Sequence, residues 1–322
     1  MYTPASYAAA VVLMIVTMLC WGSWANTQKL AKSWRFELFY WDYSFGVLLT
    51  SLLFLVLLGP GFFAISHFDL SSLQFAHVKS AFLGGMVFNV ANILLVAAIS
   101  LAGMSIAFPV GIGIALVVGT ALSFMISPIG HMGFLALGVL LILAAILLAA
   151  KSYGAIAKQT HKGSKGLVLS VVSGVLMGLF YPLVARSMAG PEGLDPYTAN
   201  VFFSLGLVAC NLLANPLLMK NPFEGNKLTL ADYCKGGMRN HVLGLLGGLV
   251  WCTGMTLNVV AAHRAGPAIA YAMGQGATLV AAIWGVFIWR EFKAAPQVNP
   301  LLTAMFFCYA FGLLAIGYAR LH

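Results

Sequence analysis

Ten long, nearly charge-free apolar stretches run through this chain, near residues 7–28, 38–58, 80–101, 105–126, 131–150, 166–187, 197–219, 240–262, 267–289 and 299–320. A helix needs about 20 apolar residues to cross the hydrocarbon core of a bilayer. Only helices and closed barrels satisfy every backbone polar group inside lipid. The stretches therefore predict an all-α integral membrane protein of ten transmembrane helices. Composition argues the same way, since 61% of the residues are hydrophobic and only 8% are charged. A soluble domain carries about 25% charged residues to keep its surface in water. A soluble enzyme, a nucleic-acid binder and a secreted disulfide module are excluded on that ground.

The net charge of +9 belongs to the connections between spans. Thirteen basic residues follow the odd-numbered spans: Lys29, Lys32, Arg35, Lys151, Lys158, Lys162, Lys165, Lys220, Lys227, Lys235, Arg239, Arg290 and Lys293. Only Lys79, Arg186, Arg264 and Arg320 lie on the other side. Lys and Arg accumulate in cytoplasmic loops, so both termini are predicted outside the cytoplasm, in a multi-pass protein of the cell (inner) membrane. The first apolar run has no basic segment before it and is read as a retained span. Four of the five cysteines, all but Cys234, lie within apolar runs and no CxxC pair occurs, so neither a disulfide nor a zinc site is implied.

The two halves of the chain resemble each other. At a shift of 163 residues, Gly84-Gly85 falls on Gly247-Gly248, Gly103 on Gly266, Ile106-Ala107-Phe108 on Ile269-Ala270-Tyr271, and Gly111 and Gly113 on Gly274 and Gly276. At slightly smaller shifts Gly22 falls on Gly178 and Gly46 on Gly206. The reading is a first five-helix repeat over 1–150, a cytoplasmic linker over 151–165 and a second repeat over 166–322. Five is odd, so the second repeat crosses the membrane in the opposite sense. Inverted repeats are a recurrent architecture of secondary transporters, with the solute site near the midplane between the halves.

Polar groups inside a bilayer are costly and are functional candidates by default. In the first span Trp21, Trp24 and Gln28 fall at i, i+3 and i+7, a stripe suited to a flat, hydrogen-bonding solute. Asn89 and Asn92 share a face of the third span, Trp251 and Asn258 a face of the eighth, and Tyr271 and Gln275 a face of the ninth. These nine residues form the predicted solute site. Asp42 is the only carboxylate within a predicted span and is the candidate for proton coupling; Glu37 reads as a loop residue. Pro109 and Pro182 are expected to kink their helices. The histidines lack metal-ligand spacing. Gly111-Ile-Gly113 has no preceding strand, and the basic loop 161–166 lacks the spacing of a phosphate-binding loop, so no metal or cofactor is expected.

Ten helices in an inverted five-plus-five repeat, the late Trp-Gly of the first span and a glycine-rich fourth span resemble the drug/metabolite transporter superfamily. Trp21-Gly22-Ser23-Trp24 followed by Tyr40-Trp41-Asp42-Tyr43 looks most like its ureide permease branch, with the bacterial glucose and rhamnose uptake proteins as neighbours. The resemblance implies import of a small uncharged polar metabolite, a ureide or nucleobase, by proton symport, and it points to Trp21, Trp24 and Asp42. The alternatives are a sugar transporter on the same fold, an exporter of lipophilic compounds, and, from another class, a membrane-embedded enzyme or receptor. The expected partners are a small-molecule solute, protons and the lipid bilayer.

Overall fold

The computed structural model describes residues 1–32, 34–60, 74–102, 104–156, 164–223 and 225–321. Among them are ten helices long and apolar enough to cross a membrane: Tyr7–Leu30, Phe36–Leu58, Phe75–Ala102, Ile106–Ile126, Met132–Ala155, Ser164–Ser187, Pro196–Lys220, Met238–Ala265, Pro267–Ile288 and Pro296–Tyr318. They are the first to tenth spans below. Large apolar side chains such as Leu57, Leu213 and Leu217 point outward, as lipid-facing residues of a bundle must. The protein is an integral, multi-pass membrane protein.

Local chemistry sets the helix ends. Asp195 caps the seventh span, its carboxylate accepting from the Tyr197 and Thr198 amides at 2.9 and 3.1 Å, with Pro196 in the first turn. Gly266 adopts φ +88 between the eighth and ninth spans, a conformation that favours glycine, and Pro267 starts the next helix. The corresponding boundary at Gly103 lies outside the described residues. The fifth helix runs on to Ile156 and the sixth starts at Ser164. The 151–165 connection thus shrinks to 157–163, which also lie outside the described residues.

The two halves pack by one scheme. The third span lies along the sixth and seventh, and the eighth lies along the first and second; the fourth packs on the sixth as the ninth packs on the first. The pairs second–seventh, fourth–ninth and fifth–tenth map onto themselves when the halves are exchanged. The repeated glycines occupy matching contacts. A Cβ on Gly85 would strike the Phe203 carbonyl and lie 2.7 Å from the Leu207 nitrogen. A Cβ on Gly248 would strike the Tyr43 carbonyl and lie 2.7 Å from the Val47 nitrogen. Only glycine lets these backbones approach so closely, which is how spans pack where burial in lipid supplies no hydrophobic drive. Between the second and seventh spans Asn211 donates to Ser44 Oγ at 2.9 Å and Asn215 to the Glu37 carbonyl at 2.8 Å, a polar seam along the start of the second span.

Three expectations are corrected. The first span is broken at Trp24 into Tyr7–Ser23 and Ala25–Leu30. The ninth is broken after Gly274, resumes as Ala277–Ile283 and ends in a π-helical turn, Trp284–Ile288. Hydropathy cannot see either break, because each span taken whole is long and apolar enough to cross a membrane. Glu37 is no loop residue: it sits buried in the first turn of the second span, ion-paired with Arg35. Pro109 and Pro182 lie inside helices that continue through them.

Candidate functional site

The two broken spans face each other across a cavity of about 500 Å³, within the range of about 300–1,000 Å³ that small-molecule sites occupy. It reaches from mid-bundle to the ends of the first, fifth and ninth spans, the side that carries the basic connections. Discontinuous helices at a central site are a recurring transporter device, because irregular backbone is tolerated only where it lines a cavity.

The deep end is aromatic. The rings of Trp21 and Trp251 stack 5.9 Å apart at an interplanar angle of 16°, and the Trp21 indole N–H donates to the Trp251 carbonyl at 3.2 Å. Phe88 backs Trp251 at 4.4 Å, and Trp24 leans on Tyr43 at 4.9 Å. Polar groups are few. Asn92 donates to the Tyr40 hydroxyl at 3.2 Å. Gln275, at the break of the ninth span, lines the cavity, and among the described residues its side-chain amide has no hydrogen-bond partner.

The mouth is polar. Lys29 Nζ lies 2.8 Å from Glu291 Oε1 and 4.2 Å above the Trp289 ring, and the Tyr153 hydroxyl donates to Glu291 Oε2 at 3.0 Å. Trp284 donates to Ser23 Oγ at 2.9 Å and Trp289 to Asn26 Oδ1 at 2.7 Å. Lys29 and Glu291 are the charged side chains among the lining residues, and they are paired with each other. The walls therefore suit a neutral solute with an apolar face and several hydrogen-bonding groups.

Of the nine predicted solute-site residues, the structure brings Trp21, Trp24, Asn92, Trp251 and Gln275 to the cavity. Four are elsewhere. Gln28 lies beyond the break at Trp24 and is not among the residues lining the cavity. Asn89 is fully buried one turn from Asn92, and its amide has no partner. Asn258 donates to the Ala270 carbonyl at 2.8 Å, and the Tyr271 hydroxyl donates to the carbonyls of Ala115 and Met177 at 3.1 and 3.3 Å. Reading the sequence missed Thr278, Tyr153, Trp284, Trp289 and Glu291. The last three sit where a span meets its loop, a place that reads as an interfacial belt.

Asp42 is also away from the cavity, buried against the eighth span. Its Oδ1 accepts from the Tyr233 hydroxyl at 2.6 Å, and His241 Nδ1 lies 3.0 Å from Oδ2. Trp34 meets the His241 ring edge-on at 5.4 Å. Tyr233 belongs to a short helix, Leu230–Cys234, whose capping box pairs Thr229 with Asp232. Burial, reinforced by the carboxylate it donates to, pushes the Tyr233 phenol above its usual range.

Comparison with known proteins places this geometry in a family. The family described as "Sugar transport protein" matches residues 12–315, and the chain belongs to it. Similar curated proteins, each with a printed name beginning "Putative sugar uptake protein", come from Streptococcus pyogenes serotypes M1, M3 and M18. Each is 22% identical over 249 residues, covering 74% of this chain and 78% of the relative. The family is one of membrane transporters of small solutes. The match falls on the sugar alternative and not on the ureide permease branch that the motifs of the first two spans resemble.

Proposed function

We propose that the protein is a secondary transporter that takes up a small neutral sugar, a hexose or a deoxyhexose such as rhamnose, by alternating access across the cell membrane. The observation that carries this reading is the cavity walled by Trp21, Trp24 and Trp251, with the unpartnered amide of Gln275 at its edge. A pyranose ring offers C–H bonds on its faces and hydroxyls around its rim. Indole faces, electron-rich by their quadrupole, cover the first, and amides satisfy the second. The paired Lys29 and Glu291 leave no uncompensated charge for an ionic solute. Family membership and the sugar uptake relatives support the same class.

In this reading the repeats 1–150 and 166–322 move against each other around the cavity. The basic connections lie in the cytoplasm, both termini lie outside, and the cavity is open inward. Proton symport runs through Asp42, the carboxylate shared by His241 and Tyr233. The test is the thermal stability of the purified protein in detergent against glucose, rhamnose, allantoin, uracil and xanthine. A solute that binds only the folded state stabilises it by about 2.7 kcal/mol at a hundred times its dissociation constant. A shift with a sugar and none with ureides or nucleobases is expected; the reverse pattern overturns the substrate class.

A further inference from the structure

A second cavity, about 560 Å³, opens at the opposite ends of the spans, among Ile126, Ser127, Ala185, Met188, Val259 and His263. A closed layer lies between it and the floor of the first. Tyr271 is fully buried there, bonded to the Ala115 and Met177 carbonyls, with its ring 5.0 Å from that of Tyr181. Asn258 donates to the Ala270 carbonyl in the same layer. Among the described residues, the Tyr181 hydroxyl and Asn258 Oδ1 in this layer are buried without a hydrogen-bond partner. Most buried polar groups are paired, so an orphan calls for an explanation. One explanation is a second conformation in which the group has a partner.

The repeat identifies that conformation. A shift of 156 residues relates the first and sixth spans through Gly22 and Gly178; 163 relates the third and fourth to the eighth and ninth. Under these shifts the cavity-lining residues Ala25, Leu95 and Phe108 fall on Tyr181, Asn258 and Tyr271. The mouth residues Lys29 and Trp289 fall on Ala185 and Ile126, both of which line the second cavity. Exchanging the conformations of the two halves therefore opens this layer and joins the second cavity to the middle of the bundle. At these three positions the present path carries alanine, leucine and phenylalanine and the exchanged path two phenols and an amide, while Asn92 and Gln275 of the present path fall on Met255 and Ile112.

We propose that Tyr181, Asn258 and Tyr271 form a second solute-binding surface, exposed when the protein opens to the face bearing Ser127, where their hydroxyls and amide bind the hydroxyls of a neutral sugar. The proposal rests on the transport reading above and adds that polar selection of the solute occurs on this path. The test uses the full chain with Cys20, Cys210, Cys234, Cys252 and Cys308 replaced, reconstituted in vesicles and treated with a membrane-impermeant methanethiosulfonate on one face at a time. Ser127→Cys marks the face of the second cavity and Asn26→Cys the mouth of the first. Asn258→Cys and Tyr181→Cys are expected to react from the Ser127 face, with glucose or rhamnose slowing the reaction. Because Tyr181→Cys removes a fully buried ring that packs on Tyr271, both variants are first checked for monodispersity, and Asn258→Cys carries the test where Tyr181→Cys does not fold. Reaction only from the Asn26 face, or none in protein that stays monodisperse and labels at Ser127→Cys, overturns the proposal. Sidedness needs no solute: reaction from the Ser127 face that no sugar slows supports the path and counts against the sugar reading alone.

Discussion

Trp21 and Trp251 lie ring over ring, 5.9 Å apart, with the indole of one bonded to the backbone of the other. One belongs to the first half of the chain and one to the second, so the contact that floors the cavity also joins the two halves. Trp21 backs onto two glycines: a Cβ at Gly254 would meet its Cδ1 at 2.7 Å, and one at Gly274 would meet its Cζ3 at 2.7 Å. The indole is held by small residues on two sides.

Gln275→Ala tests the polar edge of the site. Among the described residues the amide has no partner, so on the proposed reading its removal costs the fold little and the bound sugar one hydrogen bond. A net hydrogen bond contributes about 0.5–1.5 kcal/mol, so the dissociation constant should rise roughly two- to tenfold with the solute-free melting temperature unchanged. Titrating the thermal shift with sugar measures both. An unchanged dissociation constant removes Gln275 from the site.

Asp42→Asn separates binding from coupling. The carboxylate is outside the cavity, so sugar binding should persist, with some loss of stability because Tyr233 and His241 lose a charged partner. Uptake against a gradient should fail while exchange of labelled for unlabelled sugar continues. If the variant still concentrates sugar with the same pH dependence, Asp42 does not couple protons to transport.

Close packing of the repeats makes a paired forecast. Gly85→Ala and Gly248→Ala each drive a methyl into a facing carbonyl, and overpacking of this kind costs about 1–3 kcal/mol. Both should lower the melting temperature clearly. Gly154→Ala, with nothing within 4 Å of its Cβ, should be neutral or stabilising by up to about 1 kcal/mol. Equal tolerance of all three in a melting assay would mean that the spans do not meet at these glycines.

The number of spans was legible because each is a stretch of about 20 apolar residues. Gly85 and Gly248, which the shift of 163 residues pairs, were legible as packing positions because each faces a backbone that leaves no room for a Cβ. Trp21, Trp24 and Trp251 were found because an indole in mid-span is conspicuous. What escaped depends on backbone irregularity and loops. The breaks at Trp24 and after Gly274 lie within spans that are long and apolar as wholes, and the cavity they border takes in Gln275 and not Gln28. The Lys29–Glu291 pair joins residues 262 apart in sequence, with no local signal. His241, dismissed for lack of metal spacing, is the partner of the buried Asp42.

Tyr181→Phe is the sharpest probe of the closed layer. The hydroxyl is buried without a partner, and an unsatisfied buried polar group costs about 1–3 kcal/mol. Removing it while keeping the ring that packs on Tyr271 should stabilise the inward-open form by about 1 kcal/mol or more, seen as a higher melting temperature without sugar. The same change deprives the opposite path of a group that binds sugar and deepens the inward-open state, so uptake should slow. Efflux and influx need not slow equally, because only solute arriving from the Ser127 face meets this layer first. Lower stability together with unchanged uptake would mean that the hydroxyl has a partner in this conformation and no part in the other.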